Sequence, residues 1–150
     1  MKAVVVDAAF AVAALNVGVG AYGSWRWYRV EPSRVFWLLL RAAQLATVAV
    51  AILVGVVAAT GHSARTGLFY LYALLPLAIN LVAEQLRIAS AESVLHQQGL
   101  ESAQQVADLP DQGQRDIVLS ILRREQGIMA AAALVVAILL LRAATTATGI

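Results

Sequence analysis

Apolar positions in this chain gather into four long runs, residues 3–22, 35–59, 67–83 and 128–148, separated by short polar stretches and one longer polar connection, residues 84–126. Each run is close to the roughly 20 residues with which a helix crosses a bilayer's hydrocarbon core. A soluble domain of 150 residues has no use for several near-continuous apolar segments of this size. In lipid they are expected, because a helix satisfies its own backbone polar groups there. The pattern predicts an all-α integral membrane protein: one domain over residues 1–150, four transmembrane helices in a bundle, and the third and fourth helices extended into a cytoplasmic helical hairpin.

The connection 84–126 supplies that hairpin. Residues 84–98 are rich in helix formers and continue directly from the third run, until Gly99 stops the helix and Leu100 packs back. A short helical piece over residues 101–107 ends at Asp108-Leu109-Pro110, and Asp111 with Gln114 has the spacing of a capping box. Beyond it Ile117, Val118, Ile121 and Leu122 form one apolar stripe that runs without a breaker into the fourth span. Residues 112–126 can therefore lie against residues 84–98, the stripe facing Ala91, Val94 and Leu95. The alternative is a helix lying on the membrane surface.

Composition agrees with this placement. Hydrophobic residues make up 61% and charged residues 13%, about half the charge of an ordinary globular chain, and mean hydropathy is +0.76. The basic residues are scattered, which argues against a nucleic-acid partner despite a net charge of +2. Absence of cysteine excludes disulfides, thiolate catalysis, iron–sulfur ligation and cysteine-based zinc sites. Ten arginines to one lysine, with abundant alanine, fit a bacterial inner-membrane protein from a GC-rich genome. Met1-Lys2 before the first run resembles a signal peptide only superficially, since Asp7 and Asn16 interrupt the run and no small-residue cleavage context follows it. The expectation is a retained span.

Arginine placement sets the expected orientation. Arg26, Arg29, Arg34, Arg87, Arg115, Arg123 and Arg124 flank one side and Lys2, Arg65 and Arg142 the other, which puts both termini outside and both larger connections in the cytoplasm. Trp25, Trp27, Tyr28 and Trp37 beside the arginines read as a headgroup-level anchor. Small residues recur at Ala43, Thr47, Ala51, Gly55 and Ala59, and more briefly at Ala14 and Gly18, as smooth faces for helix association.

The candidate functional residues are polar groups in or near the hydrocarbon: Asp7, Asn16, Arg41, Asn80, Glu84 and Arg142. Depth suggests pairing Arg41 with Glu84, and Asp7 with Arg142 or Arg65. Long arginine stems can instead snorkel to the headgroups. Pro76 is expected to bend the third helix and free the carbonyl near Tyr72. His62 in the turn 60–66 and His96 beyond the third span lie a membrane thickness apart, so one haem cannot use both. HExxH, Walker and nucleophile-elbow motifs are missing, no cofactor is implied, and Gly18-Val19-Gly20 lacks a phosphate-binding context.

These observations favour a non-enzymatic small membrane protein, a homo-oligomer or an accessory subunit of a membrane complex, with the bilayer and a second membrane-protein chain as partners. The alternative is a small oligomeric transporter or channel using the intramembrane polar residues. Orientation is directly testable because the chain has no cysteine: Ser63→Cys should react with an impermeant thiol reagent from outside and Gln112→Cys only from the cytoplasmic side. The opposite labelling would reverse the topology.

Overall fold

The computed structural model describes residues 2–61, 67–100 and 102–148, apart from the side chains of Lys2, Ala103 and Thr148. Its elements are all helical: α1 (Lys2–Tyr28), α2 (Arg34–Ala59), α3 (Gly67–Gln97), α4 (Ala103–Ala107) and α5 (Asp111–Thr148). No strand occurs among the described residues. The four long helices are each long and apolar enough to cross a membrane. Their exteriors agree with that, since Leu38, Leu45, Ile52, Leu71 and Leu81 are all more than half exposed. Water would penalise such a surface, whereas lipid accepts it.

The apolar runs and their polar continuations form single helices. α3 has 31 residues and α5 has 38, so at 1.5 Å per residue they measure about 46 and 57 Å, well beyond the roughly 30 Å of hydrocarbon. α3 continues through Pro76, which is buried within it. Gly99 ends α3 as expected: its φ is 71°, the Gly99 amide donates to the His96 carbonyl (3.0 Å) and the Leu100 amide to the Leu95 carbonyl (2.9 Å), the paired bonds of a Schellman stop. The start of α5 departs from the expected capping box. Asp111 is already helical, and the Gln114 amide donates to the carbonyls of Ala107 (3.0 Å) and Leu109 (2.8 Å) instead of receiving a cap bond. Pro110 displaces the cap, its carbonyl taking the Gln114 backbone amide at 3.1 Å.

α5 is the element around which the others are arranged. Half of its most apolar stretch is buried, against a third or less for each other long helix, and its most extensive contacts are with α1 and α3. α2 touches α1 and α3 less extensively. Two apolar clusters result. One joins Ala13 of α1, Val54 of α2, Phe69 of α3 and Leu140 of α5; the other joins Val19, Phe36, Leu40, Ala83 and Met129 from the same helices. The α1–α5 contact is close because of glycine. A Cβ on Gly20 would lie 2.6 Å from the Leu134 side chain, and one on Gly23 would strike the Phe36 ring and the Ala130 methyl. Ala43, Thr47 and Ala51 of the small-residue face are buried as well. That face then leaves the contact, since a Cβ on Gly55 would meet nothing within 4 Å among the described residues.

The turn from α1 to α2 carries an anomaly. Val30 donates its amide to the Trp27 carbonyl and Glu31 to that of Arg26, both at 3.1 Å, the same helix stop as at Gly99. Here the left-handed position, φ 55°, is held by a β-branched valine. Ser33 then starts α2, its hydroxyl accepting the Phe36 amide at 3.3 Å and meeting the Tyr22 hydroxyl at 3.0 Å. A left-handed conformation costs an ordinary residue roughly 1–2 kcal/mol, partly offset in a glycine variant by about 0.4–1 kcal/mol of extra unfolded-chain entropy. Val30→Gly should therefore raise the thermal midpoint in detergent by about 1–3 °C. A fall in the midpoint would mean that the exposed valine side chain contributes more than its backbone costs.

Candidate polar site at the arginine-rich end of the helices

Where α2 and α3 meet, their few contacts are joined by charge. Trp37, Arg41 and Gln44 fall on one face of α2 at helical spacing, and Glu84 and Arg87 lie one turn apart on α3. The Arg41 guanidinium Nη1 donates to Glu84 Oε1 at 2.6 Å and to Gln44 Oε1 at 2.7 Å. Gln44 Nε2 completes the triangle by donating to the same Glu84 oxygen at 3.1 Å. Arg87 Nε stands 3.2 Å from the other Glu84 oxygen, an ion pair without hydrogen-bond alignment, and its guanidinium lies 5.4 Å from the centre of the Trp37 ring. From α5, Glu125 adds a second carboxylate that interacts electrostatically with Arg87 and Glu84. Two arginines thus converge on one carboxylate where α2 and α3 meet, with Glu125 of α5 within electrostatic reach.

This arrangement holds helices together. It contains no nucleophile beside a base, and among the described residues no three metal-ligating side chains converge. Glu84 is its centre, because three side chains converge on its carboxylate. Arg41 is the most open member, half exposed against about a quarter for Glu84 and Arg87.

The other sequence-predicted residues are dispersed. Asn16 is buried between the two apolar clusters, where its amide donates to the Val12 carbonyl at 2.9 Å and makes a long 3.5 Å contact to the Thr47 hydroxyl. Thr47 in turn donates to the Ala43 carbonyl at 2.8 Å. Asn80 is half-buried, one turn before Glu84. Asp7 and Arg142 are not brought together: each is exposed on its own helix, and neither forms an ion pair with a described residue. The reason is rotational, since Asp7 sits opposite the α1 face that carries Val5, Ala9 and Ala13 into the core. His62, Ser63 and Arg65 lie outside the described residues, while His96 is exposed on α3.

Two residues escaped the sequence pattern. Gln126 is buried, its amide donating to the Gly23 carbonyl at 3.1 Å and so tying α5 to α1. Its signal was available: it stands three and four residues before Met129 and Ala130, on the stripe that forms the core of α5. Gly127 was likewise silent, yet a Cβ there would lie 2.8 Å from Trp27 Nε1. The indole rests directly on the α5 backbone.

No protein-family model, curated protein or solved structure matches this chain. The functional reading therefore rests on the geometry.

If Glu84 is the centre of the α2–α3 junction, its loss should outweigh that of Arg41. We expect Glu84→Ala to destabilise more than Arg41→Ala in detergent unfolding, and the double variant to add little to Glu84→Ala alone, with a coupling energy of about 0.2–1 kcal/mol as for partly exposed pairs. Strictly additive effects would mean that the two residues act separately.

Proposed function

We propose that this chain is a small, non-enzymatic integral membrane protein that acts by association, first with copies of itself and otherwise as an accessory subunit of a membrane complex. In this reading the four long helices form a bundle with both termini outside, and the extensions of α3 and α5 form a cytoplasmic helical hairpin. Arg124 Nη1 reaches Ser93 Oγ across those extensions at 3.4 Å, and Val94 and Ile117 are both buried, which supports the hairpin. Val118, about half exposed, leaves an apolar position there for a partner.

The observation that carries the association is the outward face of α1. Asp7, Ala11, Ala14, Gly18, Ala21 and Trp25 are all exposed, and they recur at alternating steps of four and three residues. That spacing keeps one seam facing a partner helix. Small residues along such a seam let a second backbone approach closely, and a Cβ on Gly18 would meet nothing within 4 Å. Asp7 on the same face is a carboxylate turned toward lipid, an expensive placement that a polar contact from another chain would relieve. The transporter alternative draws less support, because Asn16, Arg41 and Glu84 are already engaged within the protomer.

Single cysteines test this in native membranes. Ala14→Cys and Gly18→Cys should form disulfide-linked dimers on mild oxidation, while Val12→Cys, on the opposite side of α1, should not. Gly18→Ile should abolish crosslinking through Ala14→Cys. A monomeric mass in mild detergent together with no crosslink along α1 would overturn self-association.

A further inference from the structure

Beside the α1–α2 turn lies a small crevice of about 10 Å³, room for one water-sized group, whose walls include Arg26, Trp27, Val30, Glu31, Arg123 and Gln126. Its chemistry is basic and aromatic. The Arg123 guanidinium is carried 5.4 Å from the centre of the Trp27 ring and forms no ion pair with a described carboxylate, so its donors are directed by an aromatic face and remain open. Trp27 is itself fixed by its seat on Gly127. Arg26 gives Nη1 to Glu31 Oε2 at 2.7 Å and Nη2 to the Pro32 carbonyl at 3.5 Å, while its Nε is buried with no hydrogen-bond partner among the described residues. A buried guanidinium N–H without an acceptor is costly and rare enough to require an explanation. On the wall of the same crevice stands Val30, in the left-handed backbone conformation that valine tolerates poorly. Retained strain of this kind gathers where a ligand is held.

We propose that this crevice takes one phosphate oxygen of an anionic phospholipid whose headgroup lies over its mouth. Four arginines, Arg26, Arg29, Arg34 and Arg123, surround the turn, and Glu31, the carboxylate on the crevice wall, is occupied by Arg26. Guanidinium forks match phosphate oxygens, and a headgroup oxygen is the acceptor that the Arg26 Nε lacks. The turn joins the ends of two helices of membrane-spanning length, and Trp25 and Trp27 are both partly exposed beside it, which puts the crevice at headgroup depth. Basic pockets between spanning helices at that depth select anionic headgroups. The seat is independent of whether the chain self-associates through α1.

The test uses Trp27 as the only indole, in a Trp25→Phe, Trp37→Phe background, with the full chain reconstituted in phosphatidylcholine vesicles. Dibrominated phosphatidylglycerol or dibrominated phosphatidylcholine is then titrated in, and Trp27 quenching gives the relative binding of each. We expect phosphatidylglycerol to be preferred on the order of fivefold, the weight of one added basic contact. Arg123→Gln should bring the ratio close to one and Arg123→Lys should keep part of it, while Arg142→Gln, at the far end of α5, leaves it unchanged. Equal quenching by the two lipids, or a preference that survives Arg123→Gln, would overturn the proposal. Relief of the phosphatidylglycerol quenching by inorganic phosphate, but not by sodium chloride of equal ionic strength, would reassign the seat to a soluble phosphate and overturn the lipid assignment.

Discussion

The close approach of α1 to α5 is the contact on which the rest of the structure depends. Lipid tails are as apolar as the helix surfaces, so apolar burial from water does not drive helix against helix inside a membrane, and association rests on how closely backbones can pack. Gly20 and Gly23 supply that closeness from α1, and Gly127 supplies it from α5. The same three positions organise their neighbours. Gly23 receives the Phe36 ring and thereby brings the start of α2 against the pair, its carbonyl accepts the buried Gln126 amide, and Gly127 receives the Trp27 indole. A methyl group at either end of this contact would push apart the core, the interhelical hydrogen bond and the aromatic seat together.

α2 stands on the other side of that frame and is held differently. Its apolar contacts are thinner, and polar links accompany them along its length: Ser33 to Tyr22, Arg41 and Gln44 to Glu84, and Thr47 to Asn16. Each is modest, about 0.2–1 kcal/mol for the partly exposed Arg41–Glu84 pair and about 0.6–2 kcal/mol for interhelical hydrogen bonds in lipid, yet together they set rotation and register where packing alone is weak. Polar residues within the apolar helices thus tie α2 to its neighbours. Asp7 and Arg142 are the exceptions, and both face outward.

Helix number and approximate location were legible because burial in lipid requires long apolar segments whatever the neighbours are, although α1 runs six residues beyond its apolar run, to Tyr28. The stop at Gly99 was legible for a local reason, the freedom of glycine to adopt positive φ. The stop at Val30 was not, since the residue there argues against the conformation it adopts and only the surrounding bonds impose it. Arg41 and Glu84 could be matched by depth and charge. Gln44, Arg87 and Trp37 could not be added to them without the rotation of each helix about its axis.

The sequence by itself thus determined four helices long and apolar enough to cross a membrane, their continuation into polar extensions, the pool of polar residues within the apolar runs and the asymmetric distribution of arginine. These follow from length, hydropathy and local backbone preference, each readable from neighbours along the chain. Tertiary structure alone decided that α5 is the central helix, that Gly20 and Gly23 rather than Ala14 and Gly18 form the close contact, that Asp7 faces away from Arg142, and that Arg26, Trp27 and Arg123 meet in one crevice. The physical reason is that four apolar helices offer many nearly equivalent faces to one another. Only the simultaneous fit of small residues against bulky ones, and of buried polar groups with partners, selects which faces meet.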